Sequence, residues 1–142
     1  MTGTRWFRGL GAIFMVLAGA APAVAGALQP VTLEIVNDEP ATALRCVVML
    51  AHFVSVEAGP IAPGGSLSLP LGRGADDASL TLANAAGKPM MIENVVCGAS
   101  VNWAATRADV SLLALRAPAT RRLAMRCRID GRLGCRGVAS AE

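Results

Sequence analysis

Along residues 31–35, apolar Val31, Leu33 and Ile35 alternate with polar Thr32 and Glu34. A period of two sets one face against a core and the other in water, which predicts a half-buried strand. Asn37, Asp38, Glu39 and Pro40 follow as a turn. Residues 44–54 then form the longest apolar run after the N-terminal region. Read as one central strand, this run points Leu44, Cys46, Val48, Leu50 and Val54 at the core, with His52 in the same phase. The opposite set includes Val47, Met49 and Phe53. A strand apolar on both faces is either covered twice or leaves an apolar patch at the surface. Residues 59–65 read as loop, and residues 66–71 alternate again, with Pro70 arguing for an edge or a strand end. A polar turn at residues 72–77 precedes a short strand at 79–82, and residues 84–89 turn back into a strand at 90–96 that ends at Cys97. Residues 98–103 are irregular, and the leucines of residues 109–115 fit either a strand or a helical turn. Residues 120–129 and 132–138 form a closing hairpin about Gly131.

This pattern gives about seven or eight short strands, evenly spaced, with no amphipathic helix. It predicts an all-β fold, a small antiparallel immunoglobulin-like β-sandwich. A strand ending at Asn37, a long second strand and the run Ile61, Ala62, Pro63, Gly64, Gly65, Ser66 resemble the opening of many bacterial immunoglobulin-like modules. The resemblance covers residues 31–71 and is one of architecture. The antibody pattern is absent, because Trp103 follows both Cys46 and Cys97 instead of lying between them.

The N-terminus changes the domain count. Arg5 and Arg8 precede an apolar run at residues 10–21, and Ala23, Val24 and Ala25 complete a cleavage pattern. This reads as a secretory signal peptide over residues 1–25, cleaved after Ala25, followed by one domain over residues 26–142. The apolar run is shorter than the roughly 20 residues a membrane span needs, so membrane contact is expected only through the signal before cleavage. The expected location is periplasmic or secreted. In such a compartment Cys46, Cys97, Cys127 and Cys135 read as two disulfides. A hairpin turning at Gly131 places Cys127 opposite Cys135, which leaves Cys46 for Cys97. A four-thiolate metal site is disfavoured, since there is no C-x-x-C pair.

Charge adds one feature. Without Arg5 and Arg8, eleven basic residues stand against ten acidic ones, a near-neutral domain. Yet residues 116–136 hold seven arginines and one aspartate. In the closing hairpin Arg122, Arg126, Arg128, Arg132 and Arg136 share one face, and Arg126 lies opposite Arg136. Like charges facing across strands oppose pairing, so a row of them marks a surface suited to an anionic partner.

Other chemistry is thinly represented. His52 is the only histidine, there is no G-x-S-x-G elbow, and no glycine-rich loop precedes a helix. The carboxylate pairs Asp38–Glu39 and Asp76–Asp77 fall in turns. No enzymatic activity and no cofactor are expected. A Cu(I) site built from His52, Met49, Met90 and Met91 is one alternative, because thioethers suit that ion. A hydrolase inhibitor presenting residues 58–65 is another. Nucleic acid is not expected as a partner, since stacking aromatics are few. The leading expectation is a binding or accessory module that docks on another envelope protein. Its contact surface would be either the arginine face or the apolar patch Val47, Met49 and Phe53.

Overall fold

A computed structural model describes residues 26–141. The signal peptide read at residues 1–25 lies outside the described residues. The fold is all β. Its strands are β1 (Gln29–Asn37), β2 (Leu44–Leu50), β3 (Val54–Ile61), β4 (Ser66–Arg73), β5 (Leu80–Ala83), β6 (Pro89–Ala99), β7 (Ala108–Asp109), β8 (Arg122–Asp130) and β9 (Arg132–Ser140). One short helix, α1 (Trp103–Thr106), follows β6. The nine strands form one hydrogen-bonded path in the order β3-β2-β6-β5-β4-β1-β8-β9, with β7 on β6. That is one strand more than the upper count expected: the extra strand is β3, which the sequence reading merges into the central run, while of residues 109–115 only Asp109 is in a strand, the two-residue β7.

β6 joins the two halves of the path. Its first residues pair with β5, as Met91 with Thr81, and its remainder pairs with β2, as Cys97 with Cys46. The ladders are antiparallel except that β1 runs parallel to β8, from Thr32 beside Arg122 to Asn37 beside Cys127. A parallel neighbour needs a long crossover, and here β2 to β7 supply it. The alternation in β1 is realised as read: Val31, Leu33 and Ile35 are buried, joined by Leu44, Val48 and Leu50 of β2, Ile92 and Val95 of β6, and Leu123 and Met125 of β8.

The central strand is shorter than the apolar run. β2 stops at Leu50, and the chain reverses through Ala51, His52 and Phe53 into β3. His52 and Phe53 both have positive φ, 64° and 62°, the requirement of a type I′ hairpin turn. His52 is therefore exposed rather than in the core phase, and Phe53 is 100% exposed at the tip rather than on the strand's outer face. Val54 is likewise exposed. Apolar content alone did not show this turn, because neither glycine nor proline marks it. β3 also extends through Gly59 and Pro60 to Ile61, so the loop expected at residues 59–65 is confined to 62–65. Gly72 and Arg73 belong to β4, and the turn there spans residues 74–79. Pro70 sits in β4 opposite Thr32, past the reach of β5, which pairs only with Gly72 and Arg73. Its missing N–H thus costs no ladder bond.

Two polar side chains hold the core loops. Asn37 is fully buried in the phase of Leu33 and Ile35. Its Nδ2 donates to the carbonyls of Thr42, Ile61 and Ala62, and its Oδ1 accepts from the Glu39 N–H. The Asn37 backbone pairs with Gly64 and Gly65. The asparagine and the Pro-Gly-Gly run noted in the sequence are thus bonded to each other. Arg73 is only 2% exposed. Its guanidinium donates to the carbonyls of Leu115, Ala117, Pro118 and Thr120 and to Gln29 Oε1. A buried charge demands such saturation, and the loop before β8 is shaped around it.

Candidate functional site

Both disulfides expected from the spacing are present, Cys46–Cys97 and Cys127–Cys135. Each joins directly opposite residues of neighbouring strands, β2 with β6 and β8 with β9. They suit an oxidising, extracytoplasmic compartment. No described helix is long and apolar enough to cross a membrane.

The closing hairpin has the predicted register, Arg126 opposite Arg136 and Cys127 opposite Cys135. Leu123, Met125 and Cys127 face inward, and Arg122, Arg126 and Arg128 face out. The parallel neighbour β1 then divides the arginine row. Glu34 pairs with Arg122 at 2.5 Å. Asp38 takes Arg126 in a bidentate grip, 2.9 Å to Nε and 2.6 Å to Nη2. Glu39 accepts the Ile129 N–H at 2.7 Å, fastening the turn after β1 to β8. The carboxylate pair Asp38–Glu39 therefore serves the hairpin. Among the described residues Arg128, Arg132 and Arg136 have no ion pair. With Arg126, Asp38 and Asp130 they line a cleft of about 630 Å³.

A second groove, about 850 Å³, crosses the outer face of β2, β3 and β6. Val47 and Met49 line it, with Arg45, Trp103, Arg107 and Arg132. Close packing of α1 onto β6 builds its wall. A Cβ on Gly98 would stand 2.9 Å from the Arg107 backbone, so only glycine fits. Thr106 Oγ1 accepts from Ala99 N–H and donates to the Asn102 carbonyl, both at 2.8 Å. The Trp103 indole donates to the Arg45 carbonyl, and the guanidiniums of Arg45 and Arg107 lie 5.0 and 4.9 Å from its ring centroid, within cation–π range. Arg45 is also hydrogen-bonded to Glu57, and that contact raises the guanidinium pKa and lowers the carboxyl's. Glu57, Glu93 and Asp109 also line this groove, and of them Glu57 is ion-paired, with Arg45.

The apolar patch is divided: Val47 is buried and Met49 37% exposed in this groove, while Phe53 stands on the turn. Of the residues considered for Cu(I), His52 is on the exposed turn, Met49 on β2, and Met90 and Met91 on β6. Met90 packs against the core and Met91 is exposed, so the two thioethers lie on opposite faces of their strand. In the inhibitor segment, residues 58–61 belong to β3 and residues 62–65 are tied to Asn37. Asp77 Oδ1 accepts the Ser79 N–H at 2.9 Å and closes its turn; the hydrogen bonds of Ser79 hold its pKa low.

Sequence reasoning missed Arg45, Arg107 and Trp103 as a unit, since they are far apart in the chain. It also missed Arg73, although Leu69, Leu71 and Arg73 share one phase. No protein-family model matches this chain, and no curated protein matches it.

Proposed function

We propose that this chain is an exported, non-enzymatic binding module of the periplasm that docks on an acidic surface of another envelope protein. The docking surface is the outer face of the closing hairpin at Arg128, Arg132 and Arg136. One observation carries the reading: after Glu34 and Asp38 neutralise Arg122 and Arg126, three arginines remain without a carboxylate partner among the described residues, on one face of a disulfide-closed hairpin. Clustered guanidiniums on a rigid strand pair match carboxylates in position as well as charge. The signal peptide read at residues 1–25 and the two disulfides support export.

The test is affinity capture of the tagged mature chain from periplasmic extract of its source, with R128E/R132E/R136E as the paired bait. The expected result is a stoichiometric acidic partner whose capture falls with added salt and drops about tenfold or more on charge reversal. Equal capture by both baits overturns the arginine surface. The triple variant should unfold within about 0.5 kcal/mol of the parent, since all three positions are exposed.

A further inference from the structure

We propose that the partner reaches this surface as an extended acidic strand that adds to the free edge of β9; the inference rests on the docking role of the arginine face and names the form of its ligand. β9 ends the sheet path, and no other described strand pairs with its outer edge. Cys127 and Cys135 are directly opposite with Cα atoms 4.1 Å apart, the short spacing of a non-hydrogen-bonded pair. Alternation then fixes the phase of the whole strand. Arg132, Gly134, Arg136 and Val138 spend their backbone groups on β8, whereas Cys135, Gly137 and Ala139 turn their N–H and C=O outward. Those outward groups make no bond to other described residues. Over residues 135–139 the strand is exposed apart from half-buried Cys135. Nearer the turn, Leu133 is buried beside the second groove, so the edge open to ladder bonds begins after it and Arg132 is met through its exposed side chain alone.

The same phase sets the side chains. An antiparallel strand added here places residues opposite Arg132, Arg136 and Val138 in non-hydrogen-bonded pairs, where facing side chains come closest. Two carboxylates spaced by four residues would meet Arg136 and Arg132. An apolar residue two positions before the first would meet Val138, which is 69% exposed. Gly134 has open space where a side chain would stand, leaving room between the two arginines.

Charge also chooses among competitors. Two copies joined edge to edge about Gly134 would set Arg132 against Arg136 twice, so the arginines that admit an acidic strand keep the chain from pairing with itself. The opposite edge, β3, contains Pro60, a positive φ at Gly59 and the acidic Glu57. It is blunted, and its charge is of the wrong sign.

The test uses an N-acetylated seven-residue peptide with valine first, glutamate third and seventh, and threonine elsewhere, against the disulfide-intact mature chain; the acetyl carbonyl is the acceptor that meets the Ala139 N–H. Binding is followed by fluorescence anisotropy and by amide exchange. Strand addition predicts saturable binding and exchange about tenfold slower or more at Gly137 and Ala139. It also predicts loss of binding when the second and fourth peptide nitrogens are methylated, and when Ala139→Pro removes an edge donor but no arginine. Equal binding of the methylated peptide overturns strand addition and leaves an electrostatic contact. Failure of the unmodified peptide to bind also overturns it. In either case, charge-reversal-sensitive capture of the intact partner still upholds the docking role.

Discussion

At the scale of single residues, the molecule depends most on polar groups that sit where apolar ones are expected. Asn37 occupies the core phase of β1 and supplies both its amide hydrogens and its carbonyl to the turns around it. Asn37→Ala leaves those backbone groups short of partners in a buried site and should cost about 3 kcal/mol in urea unfolding. Asn37→Asp keeps the acceptor for Glu39 but turns a donor into a charged acceptor facing three carbonyls, so it should cost more than the alanine despite its matching shape. If the aspartate variant proves the milder, the donor bonds are not what holds this turn. Arg73 follows the same logic with five acceptors, four of them backbone carbonyls from residues 115–120. Neither role is visible in composition. A polar residue in a core phase is a legible signal, but its partners are distant in sequence.

At the scale of elements, the two hairpins show opposite legibility. The closing hairpin was readable to the residue, because Gly131 marks its turn and the cysteines must face each other to bond. The β2–β3 hairpin was not, because its turn is made by His52 and Phe53 inside an apolar run. Left-handed backbone is uncommon for a bulky residue, so the pattern alone pointed to one long strand. The disulfides differ in what they constrain. Cys46–Cys97 closes a separation of 51 residues and Cys127–Cys135 one of 8. In the chain-entropy account, replacing the first pair by serines should cost about 4 kcal/mol and the second about 2.5 kcal/mol. Denaturant midpoints of the two double variants give the order directly, and a larger loss at the short loop would point to the β8–β9 ladder itself.

At the scale of the whole molecule, charge placement matters more than net charge. After residue 25 the sequence is near neutral, with eleven basic residues against ten acidic, yet the parallel β1 strand neutralises one half of the arginine row and leaves the other half bare. Acid stability should reflect the exposed carboxylates as well. Asp77 and Glu57 both have pKa values below their ordinary range, through the Ser79 hydrogen bonds and the Arg45 contact. A carboxyl that binds its proton less readily when folded contributes stability above its unfolded pKa. That contribution disappears as pH falls through the folded value. Thermal midpoints should therefore drop on acidification through the carboxylate range. The drop should be smaller in D77N/E57Q, where the hydrogen-bond acceptors remain and the charges do not. An unchanged pH profile in that variant would assign acid sensitivity to other groups.

Local pattern sufficed for the all-β class, the core phase of β1, the disulfide pairing and the arginine face of the closing hairpin. All of these follow from local period or from the covalent demand that two cysteines meet. Long-range packing alone set β1 parallel to β8 and so fixed which arginines are neutralised. It alone brought Arg45 and Arg107 onto Trp103, and it alone buried Arg73 among carbonyls more than forty residues away. Periodicity reports which way a side chain points, and the choice of neighbouring strand, made by the packing of the whole chain, decides what it meets there.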